Sequence, residues 1–316
     1  MKSIFKKENL KILSNKINFH KLTNFNFSSK SNCIGVIGCG QMGTGIAYVF
    51  NRQANAKVII YDSNKLQLEK SQDFINNLLN KELTKKTIEE INVNSIKDNF
   101  LFSSDLNSLK ESSFIVEAVT ENFDVKSSIF KTLDNIIPEN NNTIYASNTS
   151  SISITKLASC VKRPDRVIGM HFMNPVPVMK LVEVIKGLPT SDDTFNTTMN
   201  WINKVNKQAA VSEDVPGFIV NRILMPMINE AIFVLQEGIA SKEDIDKAMM
   251  LGTNVPMGPL TLADFIGLDT CLYILNVMYS EIKDPKFRPC MLLTNYVNAG
   301  WLGRKSGKGF YEYKKK

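Results

Sequence analysis

The sequence predicts an α/β fold, a doubly wound and mostly parallel sheet, followed by an all-α C-terminal domain. Three observations carry this. Short apolar runs alternate with helix-length amphipathic stretches from Cys33 to about Ile185. A glycine-rich turn, Gly38-Cys39-Gly40-Gln41-Met42-Gly43, follows directly on the first apolar run, and beyond Val211 only helical patterns remain. Strands separated by helices need crossover connections, which pair them parallel.

In chain order, Cys33-Ile34-Gly35-Val36-Ile37 reads as the first strand, and a helix opens at Thr44 behind the glycine turn. Lys57 to Tyr61 is a second strand ending at Asp62, and residues 64–99 read as one or two amphipathic, lysine-rich helices. Phe114 to Val119 is a buried-type strand, Phe123 to Ile137 a helix, and Thr143 to Ser147 another strand, which ends in Asn148-Thr149-Ser150-Ser151. Two further short strands, Arg166 to Met170 and Lys180 to Ile185, flank Asn174-Pro175-Val176-Pro177, where the prolines remove backbone donors and forbid helix. Phe218 to Gln236 is a long helix, Ser241-Lys242-Glu243-Asp244 resembles a capping box, and residues 264–296 complete the helical part before a glycine-rich loop at 300–309. The expected division is a leader at 1–31, a sheet domain at 32–213 and a helical domain at 214–316.

The net charge of +7 is concentrated at the start: residues 1–32 hold seven lysines against Glu8 alone, so the remainder carries about +1. A nearly neutral globular part argues against nucleic acid as a partner. The leader, rich in Lys, Asn and Ser, has the composition of a mitochondrial transit peptide but lacks arginine; a disordered tail that stays attached is the other reading. The matrix is the expected location, with the cytoplasm as the alternative. No run approaches the roughly 18 apolar residues of a membrane span. Five scattered cysteines without a CxxC pair support neither a metal site nor a disulfide framework, and their odd number fits a reducing compartment.

Strand, glycine turn, helix, strand and acid occur in the order that a Rossmann-type dinucleotide site requires. Gly38 permits the tight turn, Gly40 lets backbone approach a pyrophosphate, and Gly43 allows helix and strand to pack closely, with Gln41 and Met42 between them. The helix N-terminus offers N–H groups and partial positive charge to phosphates. Asp62 stands 24 residues after Gly38, where a carboxylate accepts from the ribose and repels a 2'-phosphate, favouring NAD over NADP. Glu121, Ser150 and His171 are each expected just past a strand end, opening onto one crevice.

His171 is the sole imidazole after the leader, since the only other histidine is His20. If the strands around it and Glu183 pair, imidazole and carboxylate come within hydrogen-bond reach, as an oriented general base requires. The competing reading is a histidine that satisfies a core carbonyl, with Glu183 a plain strand charge. Asn221, a poor helix former early in an apolar helix, is either a polar site residue or a helix-end packing group. Lys81, Lys85 and Lys86 form either a solvated face or a neutralising cluster for the phosphates of a large substrate.

Seven blocks in order resemble the 3-hydroxyacyl-CoA dehydrogenase family, and within it the short-chain 3-hydroxybutyryl-CoA members. They are GVIGCGQMGTGIA (35–47), IVEAVTENFDVK (115–126), ASNTSSISIT (146–155), HFMNPVPVMKLVEVI (171–185), PGFIVNRILMPMINEA (216–231), MGPLTLADFIGLD (257–269) and AGWLGRKSGKGFY (299–311). The resemblance implies an NAD-dependent interconversion of 3-hydroxyacyl-CoA and 3-oxoacyl-CoA. By it, His171 takes the proton of the 3-hydroxyl and Glu183 supports it. Ser150 and Asn221 contact substrate oxygens, and Asn174 places the nicotinamide. Glu121, Lys126 and Lys305 touch the cofactor, and the family is usually dimeric through its helical domain. Two departures stand out: the CoA-binding serine of some members falls on Leu78, with the matching lysine near Lys85, and the turn at 139–142 is longer than in mammalian members. A dehydrogenase of another 3-hydroxy acid that uses lysine, and a non-catalytic, crystallin-like NAD-binding protein, are the rival readings.

Overall fold

The computed structural model describes residues 32–139 and 141–314. The leader, on which the transit-peptide expectation rests, lies outside them. The described chain forms two compact units that divide after Asp214.

The first unit is built on an eight-stranded sheet. In chain order its elements are β1 (Cys33–Ile37), α1 (Gln41–Ala54), β2 (Lys57–Tyr61), α2 (Lys65–Thr84), α3 (Glu90–Asp98) and β3 (Phe100–Ser103). These are followed by β4 (Phe114–Glu117), α4 (Phe123–Ile136), β5 (Ile144–Ser147), α5 (Ile154–Ala158), β6 (Val167–Phe172), β7 (Leu181–Lys186), α6 (Asp192–Lys204) and β8 (Gln208–Glu213). The spatial order is β3-β2-β1-β4-β5-β6-β7-β8, so the winding reverses between β1 and β4, where ligands collect in open α/β sheets. All neighbours are parallel except β6 and β7, which run antiparallel.

Central strands buried on both faces are uninterrupted apolar runs, and β1 is buried along its whole length. Helices α1 and α6 cover one face through an aromatic cluster. Phe50 of α1 stands 5.6 Å from Trp201 of α6, 6.5 Å from Phe114 of β4 and 6.4 Å from Phe172 of β6, measured between ring centroids. Burying a side chain such as Phe50 contributes about 1.5–3 kcal/mol, so this cluster fixes the far end of β6 firmly. Because strand residues alternate faces, Met170 and Phe172 enter that core while His171 points the other way.

The second unit comprises α7 (Val220–Gln236), α8 (Lys242–Thr253), α9 (Pro259–Ile266), α10 (Leu268–Ile282) and α11 (Met291–Asn298) around buried Leu260, Leu268, Phe287 and Leu293. Its C-terminal hook is fastened by Asp264, whose carboxylate accepts from the Phe310 and Tyr311 amides at 3.0 and 2.9 Å and from the Tyr313 hydroxyl at 2.9 Å. Among the described residues, no single helix is long and apolar enough to cross a membrane.

Several element limits differ from the sequence reading. Residues 64–99 are two helices, separated at Lys85–Glu89. Two edge strands were not expected: β3, a four-residue apolar run directly behind a helix, and β8, whose Ala-rich, largely exposed pattern lacks clean alternation. The helix expected from Phe218 begins at Val220 because Phe218 has a φ of 47°, in the left-handed region.

Candidate active site

The glycine turn is shaped by contacts on one side and open on the other. Gly38 has a φ of 99°, its N–H donates to the Tyr61 carbonyl at 2.8 Å, and a Cβ there would lie 2.7 Å from the carbonyl oxygen of Ala118. Gly43 faces the Gly38 carbonyl so closely that a Cβ would lie 1.9 Å from its oxygen. Gly40 differs: it is exposed, a Cβ would meet nothing within 4 Å, and its backbone is extended at φ −66°. The protein's own packing gives no reason for glycine there, which fits close approach of a ligand. No side chain caps α1 and no acid sits in its first turn, so its N–H groups suit phosphate.

Asp62, at the end of β2, accepts from the Cys39 amide at 2.8 Å and the Asn64 amide at 2.9 Å, which aims its carboxylate at the turn. Gly38, Gly40, Asp62 and the start of α4 line a crevice of about 770 Å³, beyond the ends of β1 and β4. Gln41, exposed at the start of α1, donates to the Asn174 side chain at 3.1 Å, joining the glycine turn to the proline turn. Met42 is half-buried against the core. These features fit a dinucleotide.

The second half of the site stands on the next strands. β6 and β7 pair in a register that sets His171 opposite Glu183, and Nδ1 of the imidazole lies 2.7 Å from Oε2 of the carboxylate. Glu183 is fully buried, whereas the His171 side chain is 12% exposed. An Nδ1–H donated to a carboxylate fixes the tautomer and leaves Nε2 as the basic nitrogen. His171 is thus the penultimate residue of β6, where it had been expected just past a strand end; pairing with β7 prolongs the strand through Phe172. The turn between these strands contains a cis Asn174–Pro175 bond, and Lys207 binds it by donating to the Val176 and Met179 carbonyls, both at 2.6 Å.

Glu121 lies past β4. Its Oε1 gathers contacts from the Thr149, Ser150 and Ser151 hydroxyls and from the Ser150 and Ser151 amides, at 2.5–3.1 Å. Burial pushes this carboxyl up, but the Lys126 ammonium and these hydrogen bonds outweigh burial and hold it below the usual carboxylate range. The turn bearing Ser150 is therefore held by Glu121, and Phe172 ties it to β6 by donating its amide to the Asn148 side chain at 2.9 Å. Lys126 is fully buried, 2.7 Å from Glu117 and 3.4 Å from Glu121, so its ammonium faces two carboxylates.

Ser150, His171 and Glu121 are not among the residues that line the 770 Å³ crevice. That cavity lies at the ends of β1, β2 and β4 and the start of α4, while Ser150 stands in the turn after β5 and His171 in β6. Lys85 is exposed at the end of α2, outside the crevice lining. Asn221, second residue of α7, and Lys305 belong to the second unit, where Lys305 is paired with Asp269 at 2.5 Å. Sequence reasoning passed over Glu117, Ser147 and Lys207; a charged residue inside an apolar strand was the available signal for the first.

Fold and site define an NAD-dependent oxidoreductase on a Rossmann-type domain. Residues 33–215 match the family described as 3-hydroxyacyl-CoA dehydrogenase, NAD binding domain, and residues 217–313 match the corresponding C-terminal domain. The chain is 50% identical over 283 residues to a probable 3-hydroxybutyryl-CoA dehydrogenase of Bacillus subtilis, covering 90% of this chain and 98% of the relative. It is 42% identical over 288 residues to the human mitochondrial hydroxyacyl-coenzyme A dehydrogenase, covering 89% of this chain and 91% of the relative. The crystal structure of (S)-3-hydroxybutyryl-CoA dehydrogenase from Ralstonia eutropha superposes with a TM-score of 0.86 at 46% identity, covering 90% of this chain and 99% of that one. The chain belongs to the 3-hydroxyacyl-CoA dehydrogenase family.

Proposed function

We propose that this enzyme interconverts short (S)-3-hydroxyacyl-CoA thioesters, 3-hydroxybutyryl-CoA foremost, and their 3-oxo counterparts, in fatty acid or butanoate metabolism. The observation that carries the reading is the His171–Glu183 pair, an imidazole 2.7 Å from a fully buried carboxylate. NAD, when bound, supplies the acceptor for hydride from the 3-carbon. His171 takes the 3-hydroxyl proton on Nε2 in oxidation and returns it in reduction. Glu183 holds the ring and stabilises the imidazolium that forms. By the family resemblance, Ser150 and Asn221 contact the substrate oxygens, and Asn174, Glu121 and Lys305 serve the cofactor. Lys85 serves the CoA phosphates.

The names of the relatives support the substrate class. The exposed apolar side chains Ile223, Leu251 and Met291 of the second unit support a homodimer formed through the helical unit. The lysine-rich leader, with the mitochondrial human relative, supports the matrix as location.

The test is the steady-state oxidation of NADH against 3-oxoacyl-CoA esters of increasing chain length. The four-carbon ester should turn over best, and His171→Gln should lower kcat by about 10²–10⁴. Hydride transfer that survives His171→Gln would remove the mechanism, and no change in NADH absorbance with acetoacetyl-CoA would remove the function.

A further inference from the structure

Glu117 is out of place by ordinary core rules. It ends β4 after Phe114, Ile115 and Val116, all fully buried, and is itself 0% exposed. An acidic side chain at such a position is rare unless it is paired and fully hydrogen-bonded. Both conditions hold here. Its Oε1 accepts from the Val119 amide and the Lys126 ammonium, each at 2.7 Å, and its Oε2 accepts from the Ser147 hydroxyl at 2.6 Å.

Lys126 continues the chain. Its ammonium is 2.7 Å from Glu117, 3.4 Å from Glu121 and 3.5 Å from the Val119 carbonyl, with no exposed side-chain surface. Glu121 in turn holds the hydroxyls and amides of Ser150 and Ser151. A continuous polar path therefore runs from inside the sheet to the turn that carries Ser150. The ends of β4 and β5 are fastened twice, through Ser147 and through that turn.

We infer that Glu117 is a positioning residue: with Lys126 it fixes Glu121 and, through Glu121, the Thr149–Ser151 turn. The role rests on the functional reading above, because Ser150 matters to turnover only if that turn meets the substrate. Two carboxylates sharing one ammonium leave the group with one net negative charge, and Glu121, with 23% of its side chain exposed, is the member that reaches the turn. Removing the Glu117 charge lets Lys126 pair with Glu121 alone, drawing that carboxylate inward and loosening its grip on the turn. A displacement of this kind lowers kcat more than it lowers cofactor affinity.

The experiment compares the full-length wild type with Glu117→Gln and with Glu117→Met/Lys126→Met, in which apolar side chains replace the buried pair. Hydrogen exchange at the Ser150 and Ser151 amides is read alongside that of β1. Steady-state kcat, KM for NADH and KM for acetoacetyl-CoA are measured on the same proteins. Exchange at the two serines should accelerate by about tenfold or more in both variants while β1 is unchanged. In Glu117→Gln, which keeps Lys126, kcat should fall by roughly 10- to 100-fold and by a larger factor than KM for NADH rises.

Unchanged exchange at Ser150 and Ser151 overturns the inference, as does acceleration spread equally over β1 or failure of both variants to fold, since the group would then serve the whole fold. A raised KM for NADH with normal kcat also overturns it, because Lys126 would then act on the cofactor directly. Accelerated exchange in a protein whose wild type is silent toward acetoacetyl-CoA would uphold the positioning and sink the functional reading.

Discussion

The glycine turn holds residues that the fold requires and one, Gly40, that it does not, and alanine substitution distinguishes them. At Gly38 the new Cβ would lie 2.7 Å from the Ala118 oxygen and 2.9 Å from its carbonyl carbon, both backbone atoms that a rotamer change cannot move. The φ of 99° adds to this. Left-handed backbone costs an L-residue roughly 1–2 kcal/mol and overpacking about 1–3 kcal/mol, so Gly38→Ala should destabilise the unliganded protein by about 2–5 kcal/mol. At Gly40 the Cβ meets no atom within 4 Å and φ is −66°, which any residue adopts. The change there is an N-cap Gly→Ala, offset by a stiffer unfolded chain, for a net effect within about 1 kcal/mol. Because the methyl would occupy the space where pyrophosphate approaches the backbone, NADH affinity should nevertheless fall at least about tenfold. Chemical denaturation without ligand gives the first quantity and NADH fluorescence titration the second. If Gly40→Ala bound NADH as tightly as wild type, the dinucleotide would not pass over residue 40, and the assignment of this turn would be wrong.

Three further outcomes follow from individual carboxylates. Asp62→Asn keeps one acceptor for the Cys39 and Asn64 amides but loses the charge that repels a 2'-phosphate, so the NAD over NADP ratio of kcat/KM should fall by about tenfold or more, measured with both cofactors. Glu121 titrates below the usual carboxylate range in the folded protein, so its share of stability is present above the unfolded-state pKa and lost as pH falls through the folded one. The difference in Tm between wild type and Glu121→Gln should accordingly be largest near neutrality and shrink in acid; a constant difference would refute the linkage. Asp264→Ala strands the buried Phe310 amide and releases the Tyr311 and Tyr313 contacts, and should cost about 2–4 kcal/mol by denaturation, with increased proteolysis after residue 300.

What was legible in the sequence follows how local the determining physics is. The β1–α1–β2 unit could be read because each requirement is met within 30 residues, Gly38 for backbone conformation and Asp62 for charge. The His171–Glu183 register was open to reading for a similar reason. A stiff proline turn joins two short neighbouring strands, which makes their pairing readable, and the register that forms sets His171 directly opposite Glu183. The edge strands were not legible, because a four-residue run and an alanine-rich run acquire their strand character only from a neighbour that supplies hydrogen bonds.

The harder part of the site depends on contacts between parallel strands that are distant in sequence. Glu117 and Ser147 stand 30 residues apart, and nothing local announces that they meet. A cofactor contact for Glu121 is what the family resemblance implies, but its five contacts to Thr149, Ser150 and Ser151 arise only because β4 and β5 are adjacent in the sheet. Lys126 shows the same limit from the other side. One turn into α4, it is read by resemblance as a cofactor contact, and nothing in its own sequence shows that it is fully buried beside two acids. A parallel sheet therefore writes its first coordination of function in loops that a sequence displays, and its support for those loops in strand-end pairs that only the strand order reveals. Glu117 belongs to the second kind. An acid closing a run such as Phe-Ile-Val-Glu, with a lysine nine residues on, is the pattern from which that support could be sought in a sequence alone.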